Sequence, residues 1–194
     1  MTEQQPYRVE QSRAEFEIRR YPEHLLAEVL VDASFEDAGN RAFRDLFGYI
    51  GGGNRLSRDI AMTAPVVQTA ASEKIAMTAP VIQQGIGDSS AGGRTGRYRV
   101  AFVLPKQLRL ESAPVPTNPR VHLRRVEEGL VAVKGYSGRW SQPNYQSHLQ
   151  DLRIALRAAG FTTRGEPRFA RFDPPFKPWF LRRNEIMFDL EDPS

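Results

Sequence analysis

IAMTAPVVQTAASEKIAMTAPVI, residues 60–82, holds one heptapeptide twice: Ile-Ala-Met-Thr-Ala-Pro-Val begins at Ile60 and again at Ile75, 15 residues later. A perfect repeat of seven residues of mixed type is not a product of compositional bias. Each copy sets a β-compatible residue and a methionine ahead of Thr-Ala-Pro. Proline lacks an N–H and drives the residue before it towards extended geometry. Each copy therefore reads as a short strand that loses its ladder partner at the proline. Met62 and Met77 are flexible apolar groups, suited to a flat ligand of irregular outline or to filling a core.

Upstream of the repeat, Phe16 and Ile18 alternate with Glu15, Glu17 and Arg19, and Leu25, Ala27, Val29 and Val31 share one face. Tyr21-Pro22-Glu23-His24 breaks the run, so the expectation is a β-hairpin. Ser34 with Asp37 three residues on marks a helix start, and Phe43, Leu46, Phe47 and Ile50 form a stripe expected to face a sheet. Gly51-Gly52-Gly53 closes the helix, one glycine for the left-handed turn and the others free to admit close backbone approach. Downstream, residues 84–96 are Gly/Ser-rich and read as a mobile loop. Tyr98, Val100 and Phe102 lie on one side of a strand, and the proline-rich residues 105–119 read as an extended crossover.

A second half then echoes the first. Arg124-Arg125 matches Arg19-Arg20, and Leu130-Val131-Ala132 matches Leu25-Leu26-Ala27, both at an offset of 105 residues. A hairpin is expected again, then a helix whose stripe is Leu149, Leu152, Leu156 and Ala159, with Gly160 beyond it. Closing strands are expected at residues 168–172 and 185–190. The fold class is α+β: a duplicated hairpin–helix–strands unit forming a twisted or distorted antiparallel β-barrel flanked by two α-helices. Residues 1–14 read as a flexible lead-in, and residues 15–194 as one domain of two related halves, about 15–104 and 120–190.

Composition narrows the chemistry. The 194 residues contain no cysteine, which excludes disulfides, thiolate catalysis and thiolate-held metal or heme. The polar N-terminus has no apolar core of a secretory signal, and no apolar run reaches a membrane span, so the expected address is the cytoplasm. Net charge is +4 and the charges are scattered, without the basic blocks or motifs that nucleic-acid binding needs. His24, His122 and His148 have no metal-ligand spacing, and no nucleophile elbow, dinucleotide fingerprint or phosphate loop is present. The reading is of a binding protein, not an enzyme. In residues 172–184, FDPPFKPWFLRRN, three prolines forbid regular structure while Phe176, Trp179 and Phe180 alternate with Lys177, Arg182 and Arg183. Such a loop covers either the protein's own core or an apolar cleft with cations at its edge, suited to a flat, apolar, dianionic ligand.

The two IAMTAPV copies, FEIRRYP at Phe16, PTNPRVHLRRVEEGLVAVKGYSG at Pro116 and FDPPFKPWFLRRNEIMFDL at Phe172 together resemble the SOUL/heme-binding protein family over nearly the whole chain. The resemblance implies a twisted barrel of two related halves with two helices. It also implies non-covalent binding of heme or another tetrapyrrole by a carrier or buffer, with that small molecule as partner. Carried onto this sequence, the pocket residues are Arg55, Leu56, Met62, Met77, Lys177, Trp179 and Phe180. Some members carry a histidine, proposed as an axial ligand, where this chain has Arg20. Arginine does not ligate heme iron, so binding would rest on burial and propionate pairing, or on Met62, His24 or a tyrosine. The competing expectation is an effector-binding or protein-interaction domain for another apolar ligand. An acidic residue lining the cleft would favour it.

Overall fold

The computed structural model describes residues 3–56, 72–87, 95–174 and 176–191. Its elements, in chain order, are β1 (Glu3–Gln4), β2 (Arg8–Ser12), β3 (Glu17–Tyr21), β4 (His24–Ala33), α1 (Phe35–Ile50), β5 (Asn54–Arg55), β6 (Thr78–Ile86), β7 (Gly96–Val103), β8 (Val115–Pro116), β9 (His122–Val126), β10 (Gly129–Ser137), α2 (Gln142–Ala158), β11 (Thr163–Arg171) and β12 (Arg183–Leu190). Ten of the described strands form one sheet in the order β2-β3-β10-β12-β11-β6-β7-β4-β9, with β1 parallel to β6; β5 and β8 pair separately. Among the described residues the sheet is not closed into a barrel, because no ladder joins its β2 and β9 edges. Part of the expected lead-in is strand: β1 pairs with β6 and β2 with β3.

The expected hairpins do not form. β3 pairs with β10, Ile18 opposite Ala132, and β4 pairs with β9, Ala27 opposite Leu123. Each half thus lends a strand to the other. The reason is local. The commonest two-residue hairpin loops take positive φ, which glycine or asparagine supplies most readily. Pro22 is locked at negative φ. Among the described residues positive φ occurs only at glycines, at positions 52, 87, 138, 160 and 165, and so at neither Pro22-Glu23 nor Glu127-Glu128. The two connections therefore carry the chain to a different sheet neighbour instead of turning it back on itself. Apart from β1 and β2, exchanging β3 with β9, β4 with β10, β6 with β11 and β7 with β12 turns the strand order into its reverse.

Both helices cover one face, α1 against β4 and β7, α2 against β10 and β12. Ser34 is extended, and its hydroxyl accepts a hydrogen bond from the Asp37 N–H at 3.1 Å, as the capping pattern requires. The α2 start is capped from outside: Glu36 of α1 accepts the Gln142 N–H at 2.8 Å. The rings of Phe35 and Tyr145 stack beside this junction, centroids 5.0 Å apart. At the α1 end, Gly52 takes φ 114°, and a side chain at Gly53 would place its Cβ 2.7 Å from the Gly48 carbonyl oxygen. The close approach anticipated for the third glycine is thus to its own helix. In the second heptapeptide copy, residues 75–77 precede the strand, and the β6–β7 ladder slips between Thr78 and Val81, across Pro80. The first copy, residues 60–66, lies outside the described residues.

The α1 stripe differs from expectation. Phe35, Ala38, Ala42, Leu46, Tyr49 and Ile50 are buried, whereas Phe43 is 41% and Phe47 52% exposed. The small Ala38 and Ala42 let the helix sit close on the sheet, which rotates the two phenylalanines outward. In α2, Leu149, Leu152 and Leu156 are buried as expected. Residues 84–86, expected in a loop, extend β6; residues 88–94 of that stretch lie outside the described residues. Among the described residues no helix is long and apolar enough to cross a membrane. The opposite sheet face carries two smaller clusters, one around Tyr21, Val131, Val133, Ala170 and Met187, the other around Leu26, Ile82, Ala101 and Val103. Chemical denaturation should separate the two kinds of α1 residue: Leu46→Ala should cost about 2–5 kcal/mol, and Phe47→Ala less than about 1 kcal/mol.

Candidate functional site

The outward stripe of α1 has a defined neighbour. Gly39, one turn before Phe43, packs on Arg171 of β11, where an added Cβ would meet Nη1 at 2.7 Å. Asp45, on the other flank, pairs with Arg120 at 3.1 Å. Phe43 and Phe47 therefore face the side on which β11 and its following loop lie. Their rings stack at 5.5 Å, and Phe43 meets the edge of Phe102 at 5.6 Å. In the β6–β11 ladder Arg171 is opposite Val81, so the chain leaves β11 beside the start of β6. That is the end where Met77 enters the sheet, and the Ile75 N–H bonds the Ile50 carbonyl at the α1 C-terminus at 2.8 Å. The exposed face of α1 and the loop between β11 and β12 thus both lie towards the start of β6.

Asp173 organises the loop. Its carboxylate accepts the Lys177 ammonium at 2.7 Å and the Arg183 N–H at 2.6 Å. The Lys177 carbonyl accepts Arg182 Nε at 2.8 Å, and Trp179–Leu181 makes one 3-10 turn. Partial burial works to raise the Asp173 pKa, but these donors, with the charges of Lys177 and Arg183, hold it below its ordinary value. Trp179 and Phe180 stand out from this frame, 48% and 58% exposed, edge to face at 5.7 Å. The Arg139 guanidinium lies 5.2 Å from the Trp179 ring centre. Beneath, Trp140 donates Nε1–H to Asn184 at 2.8 Å and meets the guanidinium groups of Arg171 and Arg182 at 4.9 and 4.4 Å. Arg171 is buried, which pushes its pKa down to about 10, still cationic at neutral pH. It donates to Gln83 Oε1 at 3.0 Å and has no carboxylate partner among the described residues.

The residues marked in the sequence divide into two groups. Lys177, Trp179 and Phe180 share the loop. Arg55 and Leu56 lie with Met77 at the α1 C-terminal end, where Asn54 bonds the Tyr49 carbonyl and the Glu73 backbone. Arg55 is exposed, Leu56 half-buried, and Met77 half-buried against the main core, so Met77 partly fills the core. Met62 lies outside the described residues. The sequence reading missed Phe43 and Phe47 as outward groups, and also Arg139, Trp140 and Arg171. Arg139-Trp140 carries the same cation-beside-aromatic signal as the loop and could have been found by it. Among the described residues no group of three or more His, Cys, Asp or Glu could hold a metal ion.

The Asp173 carboxyl sits lower in the folded chain than free, so its contribution is present above the ordinary carboxylate pKa and lost as pH falls through the depressed value. Asp173→Asn should speed tryptic cleavage after Arg182 at pH 7 about tenfold, by removing charge-assisted bonds worth about 1.5 kcal/mol. Tryptophan emission of the unaltered protein should show an acid transition below the ordinary carboxylate range, and the variant should lack it.

Comparison with known proteins places this geometry. The chain matches the SOUL heme-binding protein family over residues 2–189. Heme-binding protein 1 of Xenopus tropicalis is 26% identical over 154 residues, covering 79% of this chain and 72% of that one. Among solved structures, the C-terminal domain of EcmrR has a TM-score of 0.63 at 9% identity, covering 95% of this chain and 98% of that one. A hydrolase from Listeria innocua has a TM-score of 0.58 at 12% identity, covering 94% of each chain. At such identities these structures share the fold alone. The match across almost every residue, carried by the strands, helices and loop described above, makes this chain a member of the SOUL heme-binding protein family.

Proposed function

We propose that this protein binds heme or a related tetrapyrrole non-covalently between the exposed face of α1 and the β11–β12 loop, as a cytoplasmic carrier or buffer without turnover. One observation carries the reading: two pairs of aromatic rings, Phe43 with Phe47 and Trp179 with Phe180, stay uncovered on the two elements between which the ligand would lie. Exposed aromatics gathered in this way mark a ligand or partner surface. Burying several hundred Å² of macrocycle gives a gross gain of about 10 kcal/mol before the costs of association. Arg139, Lys177 and Arg182 supply positive charge around the loop, over the buried cation of Arg171. The acid group of the loop, Asp173, is already taken by Lys177 and the Arg183 N–H. That favours an anionic ligand over the apolar cation of the competing effector-binding reading.

The described residues fit the macrocycle and its carboxylates better than they fit the iron. His24 lies on the sheet face away from the helices, His148 packs on Tyr136 with ring centres 4.3 Å apart, and His122 is on the edge strand β9. Arg20, on β3, pairs with Glu10 at 3.1 Å at the far end of the sheet. Heme would supply redox and ligand-binding chemistry when bound, and this chain's described residues would serve to hold and orient it. The two related halves, about 15–104 and 120–190, belong to the same reading as a duplicated unit.

Hemin titration of variants tests the cleft. Phe47→Glu and Trp179→Ala should each weaken hemin binding about tenfold or more, with melting temperatures close to the unaltered protein. Lys177→Glu should weaken it further by reversing charge at the loop. Unchanged affinity in both Phe47→Glu and Trp179→Ala would place the ligand elsewhere.

A further inference from the structure

A second cavity opens on the sheet face away from the helices. Its volume is about 260 Å³, and it lies where the two interdomain-like crossovers meet: Tyr21 and His24 flank one, Val126 and Gly129 the other. The position follows from the strand exchange. β3 and β4 are near opposite ends of the sheet path, yet only Pro22 and Glu23 separate them, so at most about 11 Å of chain joins Tyr21 to His24. The sheet must coil to bring its ends together, and the coil leaves a hollow between the two smaller apolar clusters. Ile82 comes from one cluster, Val131 and Met187 from the other, and all three are buried.

The polar side of the hollow is unbalanced. Arg124, Arg125, Arg164 and Arg168 line it. Arg124 pairs with Glu28 at 2.7 Å, Arg125 with Glu127 at 2.8 Å and Glu23 at 3.9 Å, and Arg168 with Asp189. Arg164 has no ion-pair partner among the described residues, and the lining itself holds four arginines against two carboxylates, Glu127 and Asp189. Arg168 is nine-tenths buried, and its Nε makes no hydrogen bond. Asp189 therefore satisfies only one edge of a guanidinium that has five donors. Burial, with the nearby charges of Arg168 and Arg124, holds the His24 imidazole below its ordinary pKa despite its bond to the Pro22 carbonyl. The lining thus carries more cationic than anionic side chains even beside Asp189.

We propose that this cavity is a second binding site, separate from the α1–loop cleft, for a small organic carboxylate with a flat apolar body. A planar carboxylate matches the guanidinium fork, and the apolar floor of Ile82, Val131 and Met187 takes the ring. A volume near 260 Å³ admits a ligand of about a dozen non-hydrogen atoms and is too small for a porphyrin. The site does not depend on the tetrapyrrole reading, since it lies on the other side of the sheet.

The test uses the full chain with 2-naphthoate, and 2-naphthamide as its uncharged counterpart. 2-Naphthoate should saturate one site with Kd below about 1 mM, and the amide should bind at least about tenfold more weakly. Arg168→Met should weaken 2-naphthoate about tenfold and leave hemin affinity unchanged. Should Arg168→Met unfold, the exposed Arg164→Glu and the cavity-narrowing Val126→Phe carry the test, each expected to weaken 2-naphthoate with hemin binding intact. Phe47→Glu should leave 2-naphthoate binding as it was. No saturation, equal binding of acid and amide, or loss in Phe47→Glu with retention in the cavity variants would each overturn the proposal.

Discussion

Two strands joined by two residues close most readily as a hairpin when the joint takes positive φ, and neither joint of this chain does. Pro22-Glu23 and Glu127-Glu128 send β4 and β10 away from the strands that precede them, into ladders with the other half. Everything larger follows. The halves cannot separate, because each supplies a strand that the other needs. Both helices fall on one face, with their N-termini side by side and Glu36 of α1 capping α2. The sheet coils so that its path's ends approach, and the coil divides the opposite face into two small clusters with a hollow between them. The ladders that hold this arrangement are long-range, so their gain comes only after loop-closure entropy has been met.

The candidate site on the helical face depends on a smaller set of contacts. Gly39 lets Arg171 reach α1, and Arg171 with Arg182 meets Trp140 at the base of the loop. A buried guanidinium without a carboxylate is costly, and here hydrogen bonds and aromatic faces offset the cost. Asp173 draws the loop together over that base. The result is a rigid frame that holds Trp179 and Phe180 out, opposite a helix whose small inward residues turn Phe43 and Phe47 out as well. Aromatic groups exposed in pairs by two independent devices are the feature that a flat apolar ligand would use.

Much of this was legible in the residues. The Ser34–Asp37 cap, the α2 leucine stripe, the β7 alternation and the ladder slip at Pro80 all follow from local chemistry and appear as expected. Pairing partners were not legible, because alternation reports which face a side chain takes and not which strand lies alongside. Pro22 spoke against the first hairpin, whereas Glu127-Glu128-Gly129 gave no such warning, since a glycine after two turn residues suits a bulged hairpin. The α1 stripe misled because Phe43 and Phe47 share helical spacing with Leu46 and Ile50, while Ala38 and Ala42 set the true buried face. Arg55, Leu56, Met77, Lys177, Trp179 and Phe180 came from resemblance, and the fold divides them between the α1 C-terminal end and the loop.

The central claim is that the cleft reads a macrocycle and its carboxylates, with iron secondary. A visible-spectrum titration with hemin, in ferric and ferrous states, beside the same titration with metal-free protoporphyrin, tests it most directly. The account predicts saturable binding of both, at affinities within about tenfold, since no described histidine serves the cleft. Saturation by hemin alone, with a sharp six-coordinate spectrum, would contradict it by requiring a side chain on the iron.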